Sequence, residues 1–593
     1  MSVAFVKSFS FDDRQRDIMG GFILVHRDHD APVARVLGVA LDVFRGMGSP
    51  QGIKVESSNY VFCYIPKSLD SRNQFLQIDE HRFLACVGTL VYRASLGLQA
   101  LEQLAKAPDL ATELAKCRGH FVVIEGGAEG VRILRDPCGA IEVFADPERG
   151  VFSTSFLAVA RSMPRRVLRR HEAYEYLFHG HTLGTETILH GIRRLDEGEQ
   201  VTVRKTISFV EPPRWPVPEP ASGSRRALAG QAVENLSQSM HEVLNAFDGR
   251  ASLALSGGYD TRLVLALARR IGVSPELFVY GQANSSDVVV AKYISEREGL
   301  ELNHIDKSLI EEKVSERQYN DIILKNYYFA DGVIYGGIFI PPVEMVAQAL
   351  RHRNGAVALH GGGGEVYRNF FGLPNRATST KDISKLFYRV PAGIKSPGFA
   401  INKYTDRIAE KMDLLLGTKP GRIDRHLAEA IYPRFRYRSW IGKELSLNTR
   451  AGYCYLPLFD SNSVQLALSI PAGFKDHGNF EAEMINIADP VLAGYPSNYG
   501  YNFSKNVPMR QSIKGWILQQ RPAWLRQLSF RLASLSGAEA RVWHEDWASK
   551  LLRLDCPVMR DLIGAADLRR NIFSRTGSNL TFLIQDLNIT EIL

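Results

Sequence analysis

The chain has 593 residues, 45% of them hydrophobic and 23% charged, with a formal net charge of +8. This is the balance of a folded globular protein of about two to four domains. No apolar run reaches membrane-spanning length, and Met1 to Asp17 is too polar for a signal peptide, so a cytoplasmic protein with no membrane partner is expected. Six cysteines lie scattered without a Cys-x-x-Cys pair, which argues against a structural zinc site and a disulfide framework. The modest positive charge suits a polyanionic substrate, and no basic run or aromatic–basic alternation points to nucleic acid.

In chain order, Asp17 to Val25 and Phe83 to Tyr92 read as strands, and Leu98 to Cys117 as a helix. Gly119 to Gly126 and Val131 to Asp136 read as the arms of a hairpin, followed by a short strand at Val151 to Ser155. Many strands with few helices predict stacked sheets. Glu211 to Ser224 is dense in proline and then small and polar, an extended linker and the best boundary in the chain.

Beyond the linker, Arg225 to Ala246 has a helical period. Ser252 to Leu255 is a buried strand, and Leu263 to Ala268 the core face of a helix. Glu276 to Gly281 is a second strand, Ser285-Ser286-Asp287 caps a helix running to Gly299, and Leu302 to Asp306 is a third strand. This alternation predicts a doubly wound parallel sheet. Ala356 to Leu359 is a further buried strand, entering the Gly-rich turn His360-Gly361-Gly362-Gly363-Gly364 and then a helix at Glu365-Val366-Tyr367-Arg368. Ile431 to Ile470 reads as mostly helical, with Arg436, Arg438, Lys443 and Arg450 on a solvated basic face or turned toward phosphates. The tail from Ser512 to Leu593 is helical, and Trp524 to Leu535 and Val542 to Leu554 carry Trp and Leu at core spacing.

The chemistry concentrates at Ser256-Gly257-Gly258-Tyr259-Asp260-Thr261, between the Ser252–Leu255 strand and the following helix. Glycines at such a turn let the backbone approach a ligand, and the helix N-terminus offers N–H groups to an anion. No Gly-Lys-Ser/Thr follows, so this is not a Walker loop. The motif resembles the pyrophosphate loop of the N-type ATP pyrophosphatases (PP-loop, HUP-type fold), which include asparagine synthetase, β-lactam synthetases and lasso-peptide cyclases. The order of the whole chain is similar to the glutamine-hydrolysing asparagine synthetases. The resemblance implies an N-terminal-nucleophile (Ntn, αββα) glutaminase-like domain over 1–208, a linker over 209–225, an ATP-pyrophosphatase domain over 226–511 and a helical extension over 512–593. The fold class is thus α/β plus α+β.

Arg135-Asp136-Pro137-Cys138-Gly139 and the Thr182 to Leu195 segment match the family's glutaminase domain. Its nucleophile does not: Ser2 follows Met1, and the segment matching Met-Cys-Gly-Ile is the internal Met19-Gly20-Gly21-Phe22. Glutaminase chemistry needs a Cys at the mature N-terminus, and the family's glutamine-holding Asn and Glu match Val87 and Thr89. A silent domain that packs against the synthetase part, or docks a peptide, is the expectation.

By the same resemblance, ATP is gripped by Ser256, Gly257, Gly258, Asp260 and Thr261, with Asp287 on the adenine side or capping its helix, and Gly362 and Gly363 opposite. Asp260 holds Mg²⁺. The family's second metal Asp falls on Gly364, which leaves Glu365 as the substitute ligand. Lys505, the only cation in Gly494 to Lys505, matches an essential family lysine that neutralises developing charge. Asp260, Glu365 and Lys505 are the catalytic candidates. The activity implied is ATP-dependent, AMP-forming amide synthesis on a small-molecule or peptide carboxylate, with ammonia or a substrate amine as nucleophile. A lasso- or β-lactam-type cyclase, with a precursor peptide or leader-binding protein as partner, is an alternative. A non-catalytic nucleotide-binding relative is another.

Overall fold

The computed structural model describes residues 19–593 except 28–31, 50, 68–71, 211–215, 307–313, 334–335, 342, 392–395, 397 and 537–541. The N-terminal segment through Ile18 and the proline-rich core of the linker thus lie outside the described residues.

Two six-stranded sheets form the first part. One runs Arg193–Arg194, Phe144–Asp146, Val151–Ser153, Gly21–His26, Tyr60–Ile65, Ile53–Glu56 in spatial order. The other runs Ile207–Val210, Gln200–Val203, Val131–Arg135, Phe121–Gly126, Phe83–Gly88, Phe75–Gln77. Their inner faces meet through aromatic rings, with Phe62 stacked on Phe83 at 5.0 Å between centroids. Helices Val33–Gly46 and Phe156–Ser162 cover the first sheet. Gly97–Leu104 and Leu110–Leu114 close a separate apolar cluster over the second. The layers are therefore helix, sheet, sheet, helix, as expected. The helix expected across Leu98 to Cys117 is instead two, because Pro108 interrupts it and the Asp109 side chain caps the second by accepting from Ala111 N and Thr112 N, each at 3.3 Å.

The second part is built on five parallel strands: β1 (Ala251–Ala254), β2 (Glu276–Tyr280), β3 (Leu302–Ile305), β4 (Val357–Leu359) and β5 (Tyr453–Tyr455), in the order β3-β2-β1-β4-β5. β1 is shielded on both faces, so it is small and apolar without alternation. Helix α1 (Arg225–Ala246) is capped by Ser224 Oγ, which accepts from Ala227 N at 3.2 Å. Helices α2 (Tyr259–Arg270) and α3 (Ser286–Glu298) follow β1 and β2. The sequence reading missed β5, taking Ile431 to Ile470 as helical; a helix ends at Ala451, and Tyr453-Cys454-Tyr455 pairs with β4 as a buried edge. The helix expected at Glu365 is a single 3₁₀ turn, Gly364–Tyr367.

The two parts share one apolar core. Arg450, 2% exposed, bonds Asp331 Oδ2 at 3.0 Å, and Asp331 accepts from Ser155 Oγ at 2.6 Å and Leu157 N at 3.1 Å. Arg438 donates to Asp196 Oδ1 at 2.6 Å. Arg436 Nη1 lies 2.7 Å from His181 Nε2, so the three arginines expected on a solvated face bond across this interface, and Lys443 is buried. The C-terminal strand Glu591–Ile592 pairs in parallel with Val167–Leu168, which returns the end of the chain to the first part.

Candidate functional site

In the parallel sheet the order of strands reverses at β1, with β2 on one side and β4 on the other. The crevice outside the carboxyl ends of β1 and β4 is where open α/β sheets take ligands. The loops Ser256–Gly258 and His360–Gly363 both open there. The second loop lies so close to the first turn of α2 that a Cβ on Gly361 would stand 2.9 Å from Thr261 N.

The first loop is held by its own side chains. Ser256 N donates to Thr261 Oγ1 and Gly258 N to Ser256 Oγ, at 3.0 and 3.3 Å. Gly257 N donates to Asp287 Oδ1 at 2.8 Å, so Asp287 braces the loop rather than capping α3. The N-cap of α2 is Gly258, which lends no side chain, and among the described residues the first-turn N–H groups of that helix have no side-chain acceptor. An uncapped N-terminus at a switch-point crevice fits a phosphate group. Across the crevice, Gly362 N donates to His360 Nδ1 at 2.8 Å, and burial pushes the His360 pKa down to about 4. Gly363 turns at φ 95° into the 3₁₀ turn.

Asp260 faces Gly364, and a Cβ on that glycine would collide with Asp260 Oδ1. A cation sits beside Asp260, but it belongs to the protein. Arg368 Nη2 donates to both oxygens of Asp260, at 2.8 and 2.9 Å, and lies 3.8 Å from Glu365 Oε1. Its Nε lies 3.1 Å from Oε2 of Glu481, which is fully buried in helix α4 (Asn479–Ala488). Glu365 accepts from Tyr432 Oη at 2.6 Å. Burial pushes the Glu481 carboxyl well above the carboxylate range, and the nearby Asp260 charge adds to the shift. Burial also raises Asp260, against the pull of Arg368. The same carboxylates hold the guanidinium well above its ordinary pKa despite its burial.

Asp260 and Glu365 were expected to bind Mg²⁺, which takes oxygen ligands in a near-ideal octahedron. Here both are turned onto a guanidinium, and the position that would supply the second ligand has no side chain. The residues therefore do not fit a carboxylate-held divalent ion. Among the described residues, the one group of three potential metal ligands within 4.8 Å of each other is His171, Glu172 and Glu175. Lys411 Nζ already fills it, at 2.9 Å from Glu172 and 2.8 Å from Glu175.

The segment expected to supply Lys505 lies over the first loop, but with other residues. Asn498 N donates to Gly257 O at 3.2 Å and its Nδ2 to Asp287 Oδ1 at 3.2 Å. Tyr259 stacks on Phe503 at 4.2 Å and shares a 2.7 Å hydrogen bond with Tyr501. Buried Arg262 fixes this cover, donating to Tyr495 O at 2.9 Å and Pro496 O at 2.6 Å. Lys505 itself is exposed, beyond the cover. Sequence reasoning missed Arg368, Glu481 and Asn498. A glycine in place of an acid with an arginine just downstream was a usable sign for Arg368; nothing local marks the other two.

At the position matched to a glutaminase nucleophile, Gly20 N donates to Arg450 O at 2.8 Å, and a Cβ would stand 2.9 Å from Ile65 O. No side chain fits there. Thr89 is fully buried and accepts from Cys454 N at 2.9 Å, and Val87 is core. All six cysteines are free and buried, and burial raises Cys63 and Cys454 to about 11 and Cys86 to about 12. None of those three is an activated thiolate.

No protein-family model matches the sequence, and no curated protein matches it. Among solved structures, one similar chain is a glutamine phosphoribosylpyrophosphate amidotransferase from B. subtilis complexed with ADP and GMP, at 10% identity and a TM-score of 0.24, over 58% of this chain and 81% of that one. Another is described as the allosteric regulatory enzyme of purine biosynthesis, at 10% identity and a TM-score of 0.20, over 49% of this chain and 59% of that one. Likenesses this slight carry no weight for fold or chemistry.

Proposed function

We propose that this protein binds ATP in the β1–β4 crevice and acts as an AMP-forming carbon–nitrogen ligase of the asparagine synthase-like type. The reading is carried by one observation: the Ser-Gly-Gly loop and the uncapped N-terminus of α2 open into the switch-point crevice of a parallel sheet. A substrate carboxylate oxygen attacks the α-phosphorus and pyrophosphate leaves. An amine then attacks the acyl carbonyl and AMP leaves. With glycine at the nucleophile position, the amine is free ammonia or belongs to the substrate. An internal amine makes the reaction a cyclisation of the lasso or β-lactam kind, with a peptide and its leader-binding protein as cytoplasmic partners. The test is exchange of labelled pyrophosphate into ATP in the presence of candidate carboxylates. Exchange above the carboxylate-free background supports the ligase, and its absence across carboxylate classes together with no measurable ATP binding refutes it.

A second reading is favoured by the Arg368 bridge and by the cover over the loop. On this reading the fold keeps a nucleotide site without turning ATP over. Measured ATP affinity without AMP or pyrophosphate release selects it.

A further inference from the structure

From Pro490 to Ala538 the chain contains no Asp or Glu, while Lys505, Arg510, Lys514, Arg521, Arg526 and Arg531 supply positive charge. Helices α5 (Met509–Gln520) and α6 (Ala523–Ser536) fall in this stretch. None of the residues of α5 is buried. Ile513, Trp516 and Ile517 share one face of α5 by spacing, with Met509 one turn before them, and all four are exposed, Trp516 by 56%. α6 is docked on the other side of its axis: Arg526 Nη1 donates to Gly372 O at 3.2 Å, and the Phe530 ring lies under Arg389 at 4.4 Å. Its Trp524, Leu528 and Leu532, four residues apart, are turned to solvent, Trp524 by 62%. These are the Trp and Leu positions that their spacing had assigned to the core.

An isolated helix of this length is marginal in water, and helices are normally held by burying an apolar face. No residue of α5 is fully buried and its apolar stripe is exposed, so the stripe lacks the medium that would stabilise it. We propose that α5 and α6 form a peripheral docking surface for an anionic lipid bilayer, with Trp516 and Trp524 as interfacial anchors. The absence of a membrane-spanning helix among the described residues has no bearing on a helix that lies in the interface plane. The charge selects the occupant. A lipid surface rich in anionic headgroups attracts the exposed Lys505, Arg510, Lys514 and Arg521 and meets no acidic residue from the stretch. A second copy of this chain would bring the same positive charge against it.

The test uses the full-length protein and sedimentation with vesicles of phosphatidylcholine containing about one-third phosphatidylglycerol, beside vesicles of phosphatidylcholine alone. The protein is expected to sediment with the anionic vesicles, to be released by raised salt, and to show blue-shifted tryptophan emission when bound. Each of Arg510→Glu and Lys514→Glu is expected to weaken partition at least about 5-fold. Trp516→Ser combined with Trp524→Ser is expected to abolish it, with an unchanged thermal midpoint because both side chains are already exposed. The proposal is overturned by no sedimentation with anionic vesicles, by equal sedimentation with neutral ones, or by partition insensitive to the tryptophan pair. A tryptophan-dependent dimer without lipid association also overturns it.

Discussion

Arg368 is the residue on which the crevice turns, and its removal should convert a built-in cation site into a metal site. Its side chain is 18% exposed, and the acids around it are 24% (Asp260), 26% (Glu365) and 0% (Glu481). Removing one partner of a buried ion pair costs about 3–5 kcal/mol. Partial solvent access at Asp260 and Glu365 brings the expectation for Arg368→Ala down to about 2–3 kcal/mol at neutral pH. The sign against pH follows from the acids left behind. Without the guanidinium, Asp260 and Glu481 rise further, so the folded state holds more protons than the unfolded one. The variant should therefore regain stability as pH falls toward the ordinary carboxylate range. A divalent cation should do the same at neutral pH: at about 100 times its Kd, an ion bound only to the folded state returns about 2.7 kcal/mol. The assays are urea denaturation with and without Mn²⁺, and Mn²⁺ binding by electron paramagnetic resonance. Tight Mn²⁺ binding is expected in Arg368→Ala and not in the wild type. Equal Mn²⁺ affinity in the two proteins, or a variant as stable as wild type and indifferent to Mn²⁺, would refute the reasoning.

Asp260→Ala should leave Arg368 without its closest partner and abolish any pyrophosphate exchange; full exchange in that variant would remove Asp260 from the site. Lys443 is buried, and burial lowers its pKa to about 8 from the usual 10.5. The unfolded chain binds this proton more tightly, so the penalty is complete below pH 8 and fades as pH rises toward 10.5, and Lys443→Met should gain about 3 kcal/mol over wild type at pH 7 with the difference shrinking by pH 10. Parallel denaturation curves across that range would contradict the assignment. Gly20→Cys should not restore glutaminase activity, because its Cβ has no room beside Ile65 O; a stability loss of about 1–3 kcal/mol is expected, and glutamine hydrolysis by that variant would count against the packing described.

The order of strands was readable where local pattern dictates it. β1 is a run of small and apolar residues that only double-sided burial explains, and the glycines after it could only be a turn. The N-terminal hairpin announced itself by two apolar runs on either side of Gly126-Gly127. β5 was not readable: Tyr453-Cys454-Tyr455 is three residues long and follows a helix without a break in hydrophobicity, and only pairing with β4 makes it a strand. Charge was the least legible property. Arg450 and Lys443 have the composition of a helix surface, yet the first part of the chain folds over them, a fact carried by residues hundreds of positions away.

The crevice shows the same limit from the functional side. Its motif was legible because Ser256 to Thr261 is contiguous, and a contiguous loop needs only its own backbone to form. Its charge balance is not contiguous. Asp260, Glu481 and the pair Glu365 and Arg368 come from three places on the chain, and the role of each is set by the others. Read singly, Asp260 is a metal ligand. Read with Arg368 2.8 Å away, it is half of an ion pair. Any ligand whose phosphates approach α2 meets that pair first, so a nucleotide can gain a divalent ion at this site only if Arg368 leaves Asp260. The guanidinium is therefore both the substitute for the metal and the barrier to it, which is why a single substitution at Arg368 tests the ligase and the non-catalytic readings together.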